Sequence, residues 1–446
     1  MVKISLIGAG SGAFALSLIR DLCLSKVLAG STVALMDIDA ERLQASAEVC
    51  NRYASEIGAS LQFEPSLNRQ EALLGADYVV NTALAAGHHR LRAGWEIAQR
   101  HGFRWGGSFH VMYDEAFWIN YYQFRLFESL AEDALAICPN AIHLQVANPV
   151  ISGVTLIGRK HPKLRWIGLC HAYAHVYAIT DLLGLEREQV AYDIPGVNHF
   201  IWLTRLSYRG EDAFTILDRW IEEQAPDHWA AGKNWPISRK AVDLYRRFGA
   251  FPIGDTAGWS GACWPYEYHS DEAVEQGWGE APLTGWNGYF SSVAANAVAF
   301  QTIASDRSIQ VTQKYPPRPS GEAMIALIEA LAGGKPGVFI GNILNTDNYI
   351  AGLPPDFEVE VPIRCERGRF LGQPARGLPR ELAAHILHSR VAPIEIELEA
   401  YRRGSRELLR QLILLDPWAR SLQQVDAFLE EILSLPEHIE MRRHYR

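Results

Sequence analysis

Val2-Lys3-Ile4-Ser5-Leu6-Ile7-Gly8-Ala9-Gly10-Ser11-Gly12-Ala13-Phe14 opens the chain, and its reading decides the fold. Residues 2–7 read as a buried parallel strand. Glycines follow at once. A helical pattern then runs from Ala13 to Cys23, with Leu16, Ile19, Leu22 and Cys23 on one side. A second strand, Thr32-Val33-Ala34-Leu35-Met36, ends in Asp37. Strand, glycine turn, helix, strand and acid together make one βαβ unit. Such a turn lets a pyrophosphate approach the backbone at a helix N-terminus. Gly8, Gly10 and Ser11 are therefore assigned to the cofactor. A carboxylate at Asp37 would accept hydrogen bonds from ribose hydroxyls and repel a 2′-phosphate, which favours NAD over NADP. The third fingerprint position carries Ala13, a permitted small replacement, and Gly12 is extra.

Further strands are expected outward from this unit. Ala76–Thr82 reads as a third or fourth strand and includes Asn81, a further expected cofactor contact. Ala141–Ala147 ends at Asn148-Pro149, where the proline stops the ladder and presents Asn148 at a carboxyl end. Leu164–Leu169 ends at Cys170-His171. The expected fold is α/β: a Rossmann-type parallel sheet over residues 1–170, then an α+β domain over 171–446 for substrate and oligomerisation. Strands are expected there at 190–195, 200–208 and 358–364. Helices are expected at 213–223, 238–248, 288–304, 321–332, 380–414 and 421–433, with Pro393 breaking or kinking the 380–414 stretch.

Composition narrows the partners. The net charge of −9 gives no basic surplus for nucleic acid or an anionic membrane. No apolar run reaches the roughly 18–20 residues of a membrane span. The six cysteines are scattered, as expected of reduced thiols in a cytoplasmic protein. No secretory signal pattern opens the sequence. A homodimer or homotetramer acting on a small molecule is expected.

The sharpest chemistry lies in Gly168-Leu169-Cys170-His171 and Gly196-Val197-Asn198-His199. Thiolate and imidazole suit a borderline divalent metal. Two ligands are too few for a closed structural site, so such a metal would keep positions open for substrate. Taken alone, a cysteine and a histidine this far apart are more often core residues.

Taken in order, Gly8-Ala9-Gly10-Ser11, Leu35–Asp39, Asn148-Pro149, Cys170-His171 and Asn198-His199 resemble family 4 of the glycoside hydrolases. Gly254-Asp255-Thr256, Leu353-Pro354 and Val359–Pro362 are similar to it too. The family is the NAD-dependent exception among glycosidases. The resemblance implies NAD⁺ and a divalent metal, typically Mn²⁺. It implies oxidation at sugar C3, removal of the C2 proton, elimination of the leaving group, addition of water back to the unsaturated ketone and return of the hydride. It makes Cys170 and His199 the metal ligands, and Asn148 and Asn198 substrate contacts. His171 becomes a general acid or a hydroxyl ligand. Asp255 stands where some members carry a candidate base, with Tyr266 and Tyr268 as alternatives. The Cys-His pairing resembles members acting on unphosphorylated α-glucosides, α-galactosides and uronides.

The chain departs from the pattern at 106–115 and after Asp255, where an expected arginine is absent and Trp259–Trp264 takes its place. His110, Asp114 and His269 are candidate sugar contacts. Trp259, Trp264, Trp278 and Trp286 are candidate stacking platforms. Two other readings remain: an NAD-dependent dehydrogenase of the lactate/malate type, or a non-catalytic NAD-binding regulator.

Overall fold

The computed structural model describes residues 1–11, 13–104, 119–256, 258 and 265–446. Strand β1 (Lys3–Ile7) pairs in parallel with β2 (Thr32–Met36) on one side and β4 (Tyr78–Asn81) on the other. Beyond β2 lies β3 (Gln62–Ser66); beyond β4 lie β5 (Ile142–Gln145) and β6 (Arg165–Gly168), all parallel. The order β3-β2-β1-β4-β5-β6 is that of a doubly wound dinucleotide fold, with its topological switch point between β1 and β4. Ile4, Leu6, Val33, Leu35, Val80, Leu144 and Ile167 are wholly buried between flanking helices. Each such side chain contributes roughly 1.5–3 kcal/mol.

The chain punctuates these elements locally. Asp39 caps the helix Ala40–Ile57 by accepting from the amides of Glu41 and Arg42, and Gly58 ends it in the left-handed conformation. Strand β3 was not expected from the sequence. It is largely exposed and carries Pro65, which a strand at a sheet edge tolerates.

The later strands extend the same sheet. Strand β13 (Gly337–Leu344) meets β6 through Asn342 opposite Gly168, and runs antiparallel to β14 (Glu358–Glu366). Strand β14 also pairs with β15 (Arg369–Gly372) and β8 (Gly196–Val197). Beyond β8 follow β9 (Phe200–Leu203) and β12 (Phe251–Ile253). A separate small sheet joins β7 (Val190–Asp193), β10 (Arg205–Tyr208) and β11 (Glu211–Asp212). The single strand expected at 200–208 is thus two strands in different sheets. They divide at Thr204, whose hydroxyl donates to the Arg376 carbonyl at 2.7 Å.

The helix expected at 288–304 begins earlier and spans Pro282–Ser305, with Pro282 in its first turn. The 380–414 stretch divides into Arg380–Ile386, a π-turn at Leu387–Val391, Ala392–Arg403 and Arg406–Leu414. Pro393 has no amide to offer the Ser389 carbonyl, and Arg390 Nη1 donates to that carbonyl at 2.9 Å instead. Among the described residues no helix is long and apolar enough to cross a membrane.

Candidate active site

A cavity of about 660 Å³ opens at the carboxyl ends of the parallel strands. Asn148, Cys170, His171, His199 and Asp255 all line it, although they come from four separate stretches of chain. Asn148 follows β5 and Cys170-His171 follow β6, so the parallel sheet delivers both to one rim.

His199 arrives by a tighter device. Asn198-His199 is the two-residue turn between β8 and β9, with His199 at φ 61°. A Cβ on Gly196 would stand 2.2 Å from the Phe200 carbonyl oxygen, so this hairpin requires glycine there. The turn is held from behind. The Asn198 amide donates to both oxygens of Glu358 at 3.2 Å, and Asn198 Nδ2 donates to Glu360 Oε2 at 3.4 Å. Asn198 also bonds the Cys170 sulfur. It is buried and does not line the cavity. The expected substrate contact at Asn198 is therefore corrected: it positions Cys170 and His199 from behind.

Asp255 sits in the turn Gly254–Thr256 after β12. The Gly254 amide donates to His175 Nδ1 at 2.8 Å, and His175 Nε2 lies 2.6 Å from the Pro236 carbonyl. That arrangement requires the neutral tautomer with its proton on Nε2. Burial agrees, pushing the His175 pKa down to about 4. Thr256 Oγ1 accepts from the Ile201 amide at 2.8 Å, which ties the Asp255 turn to the His199 hairpin. His199 Nε2 and Asp255 Oδ2 are 3.6 Å apart, beyond hydrogen-bond length, and both face the cavity. Burial lowers the His199 pKa against the pull of Asp255. Burial, then Glu360 and Asp255, raises the Cys170 thiol. His171 Nδ1 lies 3.1 Å from Glu322 Oε1, and that contact raises the His171 pKa.

The turn after β1 keeps the shape expected of a nucleotide cradle. The Gly10 amide donates to Asp37 Oδ2 at 2.7 Å, and a Cβ on Gly10 would stand 2.6 Å from the same oxygen. The acid therefore lies against the glycine turn, with Ser11 exposed beside it. Asn81 is placed differently from expectation. It is buried, its amide donates to Gln145 Oε1 at 2.9 Å, and its oxygen accepts from the Ala83 amide at 3.1 Å. It fastens adjacent strand ends rather than facing a ligand.

Other candidates are corrected by burial. The Tyr268 hydroxyl donates to Asp243 at 2.7 Å away from the cavity, so Tyr268 is not placed as a base. Tyr266 lies in the short helix Pro265–Tyr268, but its side chain lies outside the described residues, as do His110, Asp114, Trp259 and Trp264. Trp286 is core, packed against Trp95 and Phe290. Trp278 packs edge-on to Tyr268 and lines no part of the cavity.

His269 is wholly buried, not a sugar contact on an open face. It lies 3.2 Å from Lys240 Nζ, which also donates to Glu280 at 3.2 Å and to the Gly258 carbonyl at 3.0 Å. Burial, then Lys240 and Arg104, pushes the His269 pKa down to about 2, so it accepts from Lys240 as a neutral ring. Lys240 is 1% exposed. Lys240→Met leaves Glu280 buried without its partner and should cost about 3–5 kcal/mol, read by urea unfolding. A loss under about 1 kcal/mol would mean that the pair is not desolvated as drawn.

The sequence model described as family 4 glycosyl hydrolase matches residues 3–184, and that of the family's C-terminal domain matches residues 194–419. The chain belongs to glycoside hydrolase family 4. This glycosidase is 27% identical to the α-galactosidase of Bacillus subtilis (strain 168), over 94% of this chain and 93% of that protein. It is 23% identical to the α-galacturonidase of Lachnoclostridium phytofermentans, over 97% and 95%. A Thermotoga maritima 6-phospho-β-glucosidase solved with manganese, NAD⁺ and glucose-6-phosphate shares the fold. Its TM-score is 0.75 at 18% identity, covering 100% of this chain and 99% of that one. Family membership overturns the dehydrogenase and regulator readings.

Several site residues of this family 4 enzyme escaped the sequence. Glu322 and His175 sit in helical or turn sequence with no motif around them. Glu358 and Glu360 did leave a signal: two acids in an otherwise apolar strand, Glu358-Val359-Glu360-Val361. Both are wholly buried, and burial raises both pKa values, that of Glu360 to about 8.

Proposed function

We propose that this glycosidase is NAD- and divalent-metal-dependent and acts on an unphosphorylated α-glycoside by oxidation at C3, deprotonation at C2 and elimination. The observation that carries the reading is the convergence of Asn148, Cys170, His171, His199 and Asp255 on one cavity at the strand ends. Its closeness to the α-galactosidase and α-galacturonidase supports the α-glycoside, and the manganese and NAD⁺ of the Thermotoga structure support the cofactors.

The residues fit both groups. Among the described residues no set of three or more histidines, cysteines or acids forms a ready metal site. Cys170 and His199 nevertheless offer a soft and a borderline donor to the same space, and two protein ligands leave room for substrate oxygens. The glycine turn against Asp37 fits the dinucleotide. When bound, NAD⁺ supplies reversible hydride acceptance at C3 and the metal supplies Lewis acidity at the sugar oxygens.

The remaining work falls to the chain. Asp255 takes the C2 proton from a turn fixed by His175 and Thr256. His171, oriented by Glu322, protonates the leaving oxygen. Asn148 holds a sugar hydroxyl at the end of β5. Asn198 keeps Cys170 and His199 in register. Nitrophenyl glycosides assayed with NAD⁺, Mn²⁺ and a thiol reductant test the reading. Hydrolysis should need all three additives, and full hydrolysis in their absence would end it.

Asp37→Ala probes the dinucleotide separately. Losing charge-assisted hydrogen bonds to the ribose, worth about 1.5–3 kcal/mol, should weaken NAD⁺ roughly 10- to 100-fold. NADP⁺ affinity should fall less or rise, because the repulsive carboxylate is gone. Unchanged NAD⁺ affinity in a fluorescence titration would count against this placement.

A further inference from the structure

Trp235 lines the cavity, alone among the described tryptophans, and most of its surface is open. Its ring is nonetheless fixed. One indole face stacks on His175, with centres 4.2 Å apart and planes 20° from parallel. His175 is itself buried and pinned between the Pro236 carbonyl at 2.6 Å and the Gly254 amide at 2.8 Å. The loop is tied on both sides of the ring. The Trp235 carbonyl lies 3.2 Å from His228 Nε2. Asn234 Nδ2 donates to the Gly279 carbonyl at 2.8 Å, and Asn234 Oδ1 accepts from the Arg239 amide at 3.2 Å. A single exposed aromatic on a protein surface is ordinary. An indole held in one orientation at the wall of a cavity is different, because a ring that stacks on it has no side chain left to order.

The residues of that wall differ in depth. The His199 side chain is 15% exposed and that of Asp255 36%. That of His171 is 55% exposed, and Trp235 is 61% exposed. A sugar seated over His199 with C2 beside Asp255 therefore points its C1 substituent toward the mouth, where His171 stands to protonate it. Trp235 stands at that same level.

We infer that Trp235 forms the leaving-group subsite and that the group it receives is a second sugar ring. The inference rests on the glycosidase reading and names the other half of its substrate. A pyranose has a face of C–H bonds and a rim of hydroxyls. The apolar face suits the indole, and the hydroxyls stay in water at a half-open mouth. A small alkyl group has too little apolar area to cover the same ring.

The test compares leaving groups of similar basicity, so that contacts rather than bond strength set the difference. One pair is methyl α-D-galactoside and galactosyl-α-1,6-glucose; the other is methyl α-D-galacturonide and α-1,4-digalacturonate. Each is offered with NAD⁺, Mn²⁺ and reductant to the parent, Trp235→Phe and Trp235→Leu enzymes. The parent should prefer the disaccharide of the pair it hydrolyses by on the order of 10-fold in kcat/KM, about 1.4 kcal/mol. Trp235→Leu keeps apolar cover over His175 but offers no ring face. It should lose the preference while holding kcat/KM for the methyl glycoside within about twofold. Trp235→Phe should keep most of the preference. A parent indifferent to the second ring overturns the inference and leaves the glycosidase reading standing. So does a Trp235→Leu enzyme slowed equally on both members of a pair, which would make Trp235 only a support for His175 and the Asp255 turn. If the parent hydrolyses none of the four, the glycosidase reading fails. Calorimetric titration of the same compounds then decides the subsite alone. Tighter binding of a disaccharide, abolished in Trp235→Leu, keeps it; equal binding, or none, overturns it.

Discussion

Cys170→Ser should lower Mn²⁺ affinity by more than about 100-fold and abolish the metal-dependent reaction, with the fold retained. Loss of an outer-shell partner alone typically costs 10–100-fold in metal affinity, and losing a ligand should exceed that. Serine keeps nearly the same volume in a half-buried position at the cavity wall, so the neighbouring Ala172 and Asn198 contacts need little adjustment. It cannot reproduce the ligand, because an alcohol does not give up its proton at neutral pH and is a hard, weak donor beside a thiolate. The native thiol is itself held protonated by burial and by Glu360 and Asp255, so metal binding must release a proton. Electron paramagnetic resonance counts free Mn²⁺ directly and reads affinity apart from turnover. Circular dichroism checks that the helices survive. A variant that binds Mn²⁺ as the parent does, after chelation and reloading, sinks the ligand assignment.

Why Cys170 was legible in the sequence while its support was not is a matter of distance along the chain. The β1 turn, Asp37 and the ends of β4, β5 and β6 follow from local patterns. A continuous apolar run, a glycine turn and a proline each act within a few residues. The sequence therefore placed Asn148, Cys170 and His171 on one rim before any coordinates. Strand β3 was missed because its edge position permits the exposed residues and the proline that argue against a strand. The carboxylates behind the site were missed for a different reason. Glu358 and Glu360 gain their meaning from Asn198, some 160 residues away in sequence. No periodicity reports such a pairing. Asn81 and Asn198 were over-read for the same reason. An asparagine at a strand end or hairpin tip has the right chemistry for a ligand, and only its partners, Gln145 and Glu360, show that the amide is already engaged. The wholly buried His269 and Trp286 teach the converse, that polar and aromatic residues near a site are more often packing than contact.

Hydrolysis in D₂O should place deuterium at C2 of the released sugar, and Asp255→Asn should lose that exchange while still binding NAD⁺. A direct-displacement glycosidase needs two carboxylates flanking the anomeric carbon. This cavity has Asp255 and Glu322 among its described lining residues, but Glu322 is occupied with His171. One base suffices for elimination once C3 is oxidised, because the C2 proton is then acidic. Asp255 is suited to the task. It is partly open to the cavity, sits 3.6 Å from His199 Nε2, and stands on a turn anchored to His175 and Ile201. Asparagine keeps the shape and cannot accept the proton, so kcat should fall by about 10²–10⁴, the usual worth of a general base. Substrate deuterated at C2 should react more slowly in the parent enzyme wherever that step limits the rate. NAD⁺ binding is the control, since the glycine turn and Asp37 follow β1 and β2 whereas Asp255 follows β12, at the other end of the sheet order. Glu322→Gln separates the two carboxylates. It should slow departure of poor leaving groups, which need the His171 proton, and spare nitrophenyl glycosides, whose leaving groups do not. Exchange that persists in Asp255→Asn would move the base to another residue. Hydrolysis with no deuterium at C2, once a shielded base returning the same proton has been excluded by the isotope effect, would remove elimination altogether.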